Sequence, residues 1–284
     1  MKAAVYRSYG SPDVLKIEDV EKPSIQGAGD DRVLIKVHSA SVNPYDYLHR
    51  KGYFPVRLSN GFLRPREHLL GIDVAGTIEA VGKDANGFEI GNHVFGNCLG
   101  SHAEYVLARR SRISLMPDNL TFSEAAAIPT AALTALQALQ DVAQVRKGQK
   151  VLINGASGGV GHFAVQFARF FEAEVSAICS TSNLAWVKDL GAQEVIDYTK
   201  EDFTQIGNRY DVILDAGATL TFSRCKRSLN KTGVYITENP LKPNIQLVQV
   251  LLSLLIRTKR IKVAPLTKPS DKDLDFLQEL VEAG

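Results

Sequence analysis

The sequence predicts an α/β protein in which a doubly wound parallel sheet follows a smaller, mostly antiparallel β domain. Three observations carry this expectation. The texture of the chain changes near residue 120, from short β-like runs punctuated by glycine and proline to alternating helical and strand-like segments. The alternating half repeats the βαβ pattern of a parallel sheet. Finally, a buried-looking strand breaks into four glycines, Gly155, Gly158, Gly159 and Gly161, before an apolar helical stretch resumes.

In the first half, the runs VLIKVHSA (33–40), DVAGTIEAVG (73–82), NHVFG (92–96) and AEYVLA (103–108) read as strands. The second half opens with one predicted helix over SEAAAIPTAALTALQALQDVA (123–143). Strands VLING, EVSAIC, EVIDY, DVILDAG and GVYITE follow, interleaved with helices over HFAVQFARFFE, NLAWVKDLG and TFSRCKRSL. RIKVAP (260–265) is expected to be the outer strand of that sheet. The apolar stretch 245–256 is about 12 residues long, short of the roughly 20 that cross a bilayer, and reads as a buried or interface helix.

Composition narrows the function classes. Of 284 residues, 45% are hydrophobic and 23% charged, as in a globular protein with a substantial core. Thirty-three Lys plus Arg against 31 Asp plus Glu leave a formal charge of +2, and no tract is dense enough to predict a nucleic-acid or membrane patch. Cys98, Cys179 and Cys225 are far apart and form no CxxC pair, so neither a disulfide framework nor a zinc ribbon is expected, and a reducing cytoplasm suits them. The first 20 residues carry no leader-like apolar core, and no membrane span is expected.

The glycine elbow has a chemical reading. A strand that ends in glycines and feeds a helix brings backbone N–H groups and the positive end of the helix dipole to one point, where a diphosphate can approach. The segment reads Ala156-Ser157-Gly158-Gly159-Val160-Gly161, a G-x-G-x-x-G pattern with alanine in the first place. With a strand before it, a helix after it and a second strand about 20 residues on, it predicts dinucleotide binding. An NAD site usually offers a carboxylate after that second strand. Here the turn is Cys179-Ser180-Thr181-Ser182-Asn183, neutral hydrogen-bonding groups that also serve as a helix cap, so NADPH is expected.

VLINGASGGVG, AAAIPTAALTALQAL, CSTSN, LGAQEVIDY and SVNPYDYLHRKG together resemble the zinc-independent quinone oxidoreductase branch of the medium-chain dehydrogenase/reductase superfamily. The resemblance implies a GroES-like catalytic domain over 1–121, a Rossmann domain over 122–267, and a homodimer in which the outer strand pairs with its twin. It further implies that 268–284 begins a segment returning to the catalytic domain, cut short here because relatives continue past it. Ser157, Gly159, Val160 and Gly161 match the family's phosphate loop. Ser180 matches a 2′-phosphate contact, Tyr198 a tyrosine closing over the adenosine end, and Thr134 a threonine near the nicotinamide. Where some relatives carry Arg or Lys after the second strand, this chain has Ser182 and Asn183.

Zinc-using relatives place Cys or His where this chain reads Ser41-Val42-Asn43-Pro44 and Gly71-Ile72-Asp73, and they carry a four-cysteine loop where it has only Cys98, so no metal site is expected. Without a Lewis acid, hydride transfer to a small hydrophobic quinone or α,β-unsaturated carbonyl is the expected chemistry. Asn43 matches a position beside the nicotinamide, with a turn-capping role encouraged by Pro44 as the alternative; Asp46 is close by in the same element. Tyr53 is one residue early for the tyrosine that donates a proton in related enoyl reductases, and an ordinary half-buried aromatic is its alternative. The apolar insertion 55–65 is expected to wall the pocket. The competing functions are a zinc-dependent alcohol dehydrogenase and a low-turnover NADPH-binding scaffold or redox sensor.

Overall fold

The computed structural model describes residues 1–27, 29–238, 260–264, 268 and 270–284. The chain divides into two compact units, Met1–Thr130 with Pro269–Gly284, and Ala131–Lys268. The predicted helix over 245–256 lies outside the described residues.

In the first unit, β1 (Lys2–Tyr6) and β2 (Leu15–Asp19) form an antiparallel ribbon. The runs identified in the sequence become β3 (Arg32–Ser39), β4 (Asp73–Val81), β5 (His93–Asn97) and β6 (Tyr105–Arg109), and β7 (Ile113–Leu115) completes a five-stranded antiparallel sheet of order β6-β3-β4-β5-β7. Alternation places Val33 and Ile35, Val74 and Ile78 in one core with Val94, Val106 and Ile113. Two helices, α1 (Pro44–Lys51) and α2 (Phe54–Asn60), occupy the long β3–β4 connection. Helix Asp271–Ala283 packs on β7; Asp275 Oδ1 accepts from Ser114 Oγ (2.6 Å) and the Val281 carbonyl from Asn119 Nδ2 (2.9 Å).

The single helix expected over 123–143 is interrupted. It divides into α3 (Phe122–Ala126) and α4 (Pro129–Gln137), the latter widening into a π-helical turn over Ala138–Ala143. Pro129 supplies the physical reason, because it has no N–H to continue the ladder and its ring disfavours helical backbone just before it. The first piece is stabilised at its start by Thr121, whose N–H donates to Glu124 Oε2 (2.8 Å) while Glu124 N–H donates to Thr121 Oγ1 (3.3 Å).

The second unit is a six-stranded parallel sheet of order β10-β9-β8-β11-β12-β13 among the described residues. Its strands are β8 (Lys150–Asn154), β9 (Glu174–Cys179), β10 (Glu194–Asp197), β11 (Tyr210–Asp215), β12 (Leu229–Thr237) and β13 (Ile261–Val263). Helices α5 (Gly159–Phe170), α6 (Leu184–Asp189) and α7 (Phe222–Cys225) connect them. Val151, Leu152 and Ile153 are fully buried in succession, the continuous apolar pattern of a strand covered on both faces. Strand order runs outward from β8 in one direction and from β11 in the other, so the carboxyl ends of these two flank the topological switch point, where such sheets bind ligands.

Two glycines join β8 to α5 at close range. Gly155 has φ +75°, and a Cβ there would come within 2.8 Å of the Gly217 nitrogen. A Cβ on Gly161 would lie 2.0 Å from the Gly155 carbonyl oxygen, which is backbone and cannot swing aside. Gly161→Ala is therefore expected to destabilise the protein by roughly 3 kcal/mol, measured as a shift of the urea midpoint at unchanged slope. A midpoint equal to that of the wild type would show that the helix need not sit so close.

Candidate functional site

The elbow of the second unit separates its glycines by task. Gly155, rather than position 156, makes the left-handed turn, which explains why alanine is accepted at 156. Ala156 is buried, and its N–H donates to the Ile178 carbonyl (3.0 Å), tying the turn to β9. Gly158 caps α5, and the first bond of the helix runs from His162 N–H to the Gly158 carbonyl (3.1 Å). The N–H groups of Gly159, Val160 and Gly161 precede that bond at the positive end of the helix dipole. A Cβ on Gly159 would meet only the Ala131 methyl at 3.9 Å, so the approach to these donors is open. A diphosphate fits such a cradle.

Beside the elbow is a cavity of about 780 Å³, whose lining includes Ser157, Gly158, Ser180, Tyr198, Lys200 and Arg224. Asn183 Nδ2 donates to Ser157 Oγ (3.2 Å) and to Ser180 Oγ (3.1 Å), and Ser180 Oγ is 3.3 Å from Ser182 Oγ. The turn after β9 is thereby fastened to the phosphate loop. Tyr198 is 63% exposed on the cavity rim. Thr134 is half-buried on α4 and does not line this cavity.

Sequence reasoning missed the charges of this cavity. Arg224 Nη2 is 3.3 Å from Asp202 Oδ1, and Lys200 Nζ is 3.6 Å from Asp197 Oδ2. Hydrogen bonds from the Thr181 and Thr199 hydroxyls, at 2.5 and 2.7 Å, hold the Asp197 carboxyl down to about 2. Lys200 stands two residues beyond Tyr198 and was open to inspection; nothing local marks Arg224, which the fold brings in from α7.

A polar cluster ends β8, β11 and β12. Asp215 accepts from Asn154 Nδ2 (2.6 Å), from the Tyr235 hydroxyl (2.9 Å) and from the Leu220 N–H (3.0 Å). One residue past β12, Glu238 has its Oε1 sealed from solvent without a hydrogen-bond partner. Burial, reinforced by Asp215, raises its carboxyl to about 8.

The first unit gathers a second set of residues around Asp73. This buried carboxylate accepts from Ser41 Oγ (2.7 Å), Asn43 Nδ2 (2.9 Å), Asn97 Nδ2 (3.2 Å), Thr130 Oγ1 (2.6 Å) and the Thr130 N–H (3.0 Å). Burial lifts its acid strength above the ordinary carboxylate value despite the hydrogen bonds that oppose the shift. Cys98, also beside it, is raised to about 12, so its thiol keeps its proton. These are hydroxyl and amide donors around one carboxylate whose two oxygens are already engaged, not the thiolate and imidazole ligands zinc prefers. Among the described residues no group of three or more His, Cys, Asp or Glu is placed to hold a metal ion.

The candidate catalytic residues divide accordingly. Asn43 precedes α1 and turns its amide to Asp73 and to Ser41 Oγ (2.8 Å). Both oxygens of Asp46 are taken by backbone, Oδ2 by Asn43 N–H (2.7 Å) and Oδ1 by Gly71 N–H (2.9 Å), so Asp46 positions the Asn43 turn. Tyr53 caps α2, half-buried, with its hydroxyl raised above its ordinary value by burial.

Comparison with known proteins follows this geometry. The alcohol dehydrogenase GroES-like domain matches residues 29–136, and the zinc-binding dehydrogenase family matches 159–249. A chloroplast envelope quinone oxidoreductase homolog of Arabidopsis thaliana is 32% identical over 297 residues, covering 100% of this chain and 88% of that protein. This chain belongs to the medium-chain dehydrogenase/reductase superfamily. The quinone oxidoreductase of Coxiella burnetii superposes on this dehydrogenase/reductase with a TM-score of 0.83, at 33% identity, over 100% of the chain and 88% of that structure. A 2-methylene-furan-3-one reductase of Solanum lycopersicum is 39% identical over 229 residues, 76% of this chain, but the match covers only 57% of that relative's length.

Glu238 generates a prediction. Free in the unfolded chain, it titrates near 4.5, and folded near 8. Between those values the folded state holds a proton the unfolded state has lost, so stability falls as pH rises through the window and is fully retained only below it. Melting curves of wild type and Glu238→Gln across this range should converge at the acid end and diverge, with the variant more stable, toward pH 8. A constant offset would show that the carboxyl does not titrate there.

Proposed function

We propose that this chain is an NADPH-dependent, zinc-independent reductase of quinones or α,β-unsaturated carbonyls. The open glycine elbow at the start of α5, beside a cavity lined by hydroxyls and cations, is the observation that carries the reading. Relatives named quinone oxidoreductases and NADPH-dependent alkenal/one oxidoreductase support the substrate class. The donor chemistry around Asp73 supports independence from zinc.

When bound, NADPH supplies the hydride. Ala156 to Gly161 hold the diphosphate through backbone N–H groups, Ser180 and Ser182 accept the ribose end, and Tyr198 covers the adenosine. Lys200 and Arg224 complete the 2′-phosphate contact that the turn after β9 leaves to neutral groups. Thr134 serves the nicotinamide half. Asn43, braced by Asp46 and Asp73, orients the substrate, and the Tyr53 hydroxyl, kept protonated by its raised acid value, supplies the proton. β13 closes the described sheet, and an edge strand of this kind supports the homodimer expected from the family. The three free, buried cysteines suit a reducing compartment such as the cytoplasm.

Cofactor preference and metal dependence are checked together. Equal concentrations of NADPH and NADH in a thermal-shift assay should favour NADPH, and Lys200→Glu should weaken NADPH by about tenfold while leaving NADH nearly unchanged. NADPH oxidation by a panel of quinones and enones should survive dialysis against a chelator. Tight NADPH binding with no turnover would favour the scaffold reading; activity restored only by zinc would favour the alcohol dehydrogenase.

A further inference from the structure

Helix α2 and the loop after it present an apolar surface that the reductase chemistry leaves unused. Phe54, Leu58, Phe62 and Leu63 are 62%, 68%, 60% and 81% exposed. Phe54 and Leu58 are four residues apart and share one helical face, opposite the buried Val56 and Asn60. Four large apolar side chains this exposed between residues 54 and 63 are not the isolated surface hydrophobes of an ordinary soluble face.

The backbone that displays them is fastened. Asn60 Nδ2 donates to the Tyr6 hydroxyl (2.9 Å), and Asn60 Oδ1 accepts from the N–H groups of Arg66 (3.2 Å) and Glu67 (2.8 Å). The Tyr9 hydroxyl donates to the Gly61 carbonyl (2.7 Å), and Arg57 bridges the Gly52 and Phe62 carbonyls at 2.7 and 3.1 Å. The loop thus holds its apolar side chains outward against a fixed scaffold. This corrects the expectation that 55–65 walls a pocket for Leu58, Phe62 and Leu63, which face solvent.

Charge identifies the occupant. From residue 47 to 66 the sequence carries Arg50, Lys51, Arg57, Arg64 and Arg66 and no Asp or Glu. Arg50 is buried, whereas Lys51, Arg64 and Arg66 are exposed and form no ion pair among the described residues. In sequence these cations are too widely spaced to read as a basic tract, and the fold surrounds an apolar patch with them. Exposed Phe and Leu flanked by unpaired Lys and Arg match the interface of an anionic bilayer, into which apolar side chains insert while cations meet headgroup phosphates. An apolar protein partner would gain nothing from the cations.

We propose that α2 and the 61–66 loop dock the protein on the surface of an anionic lipid membrane, as a peripheral contact rather than a span. No helix among the described residues is long and apolar enough to cross a bilayer. This placement is independent of the reductase reading, because it requires only the surface of the first unit.

The test is co-sedimentation of the purified full chain with phosphatidylcholine vesicles, with and without phosphatidylglycerol. Binding is expected only to the anionic vesicles and should weaken as salt shortens the screening length. Arg64→Glu with Arg66→Glu should reduce it by an order of magnitude or more, at about fivefold per cation removed. Phe62→Ser with Leu63→Ser should also release the protein, with circular dichroism melting curves confirming that both variants fold. Equal binding to neutral and anionic vesicles, or retention by either variant, would overturn the proposal. So would failure to bind any vesicle, whether or not sedimentation equilibrium then shows the patch holding two copies together.

Discussion

The contact on which the second unit depends is the approach of α5 to the end of β8, with no side chain between Gly161 and the Gly155 carbonyl. A methyl group there would stand 2.0 Å from that oxygen. Because the two backbones meet, the first turn of the helix is aimed at the switch point between β8 and β11, and the donors of Gly159 and Val160 face a space no other side chain fills. Remove that closeness and the helix dipole points elsewhere, the Asn183–Ser157 link loses its anchor, and the cavity loses the wall against which a diphosphate would rest.

Both units follow a second rule, which concerns carboxylates. Asp73 and Asp215 are buried without a cationic partner, each surrounded by neutral donors. Neutral donors avoid the heavy desolvation of a buried ion pair yet satisfy the acceptor lone pairs. They also occupy the oxygens a metal would need. In the first unit this converts positions that bear zinc ligands in other members of the superfamily into a braced hydrogen-bonding network. Glu238 escapes the rule, with a sealed and unpartnered oxygen, and its proton is held to an unusually high pH as a result.

Much of the architecture was legible because the strands obey simple burial patterns. VLING, EVSAIC and DVILDAG are apolar throughout, as parallel strands must be, and the glycine elbow is a short-range signal whose meaning follows from its neighbours. The broken helix over 123–143 was less legible: its alanine-rich periodicity outweighed Pro129 in the reading, although the chain obeyed the proline. Assigning the turn to position 156 failed for a similar reason, since the pattern fixes spacing while φ is set by which residue crosses above β11. Lys200, Arg224 and the Asp73 network are assembled from distant elements, and no window of sequence contains their partners. The outward-facing patch at 54–63 was misread because a run of apolar residues looks the same whether it lines a pocket or faces solvent.

The most direct measurement of the central claim is a crystal structure of the full chain with NADPH. The account predicts the diphosphate against the N–H groups at the start of α5, within hydrogen-bonding distance of Gly159 and Val160, and the 2′-phosphate between Ser180 and Lys200. A coenzyme bound elsewhere, or an elbow filled by neighbouring side chains while the protein still oxidises NADPH, would contradict it.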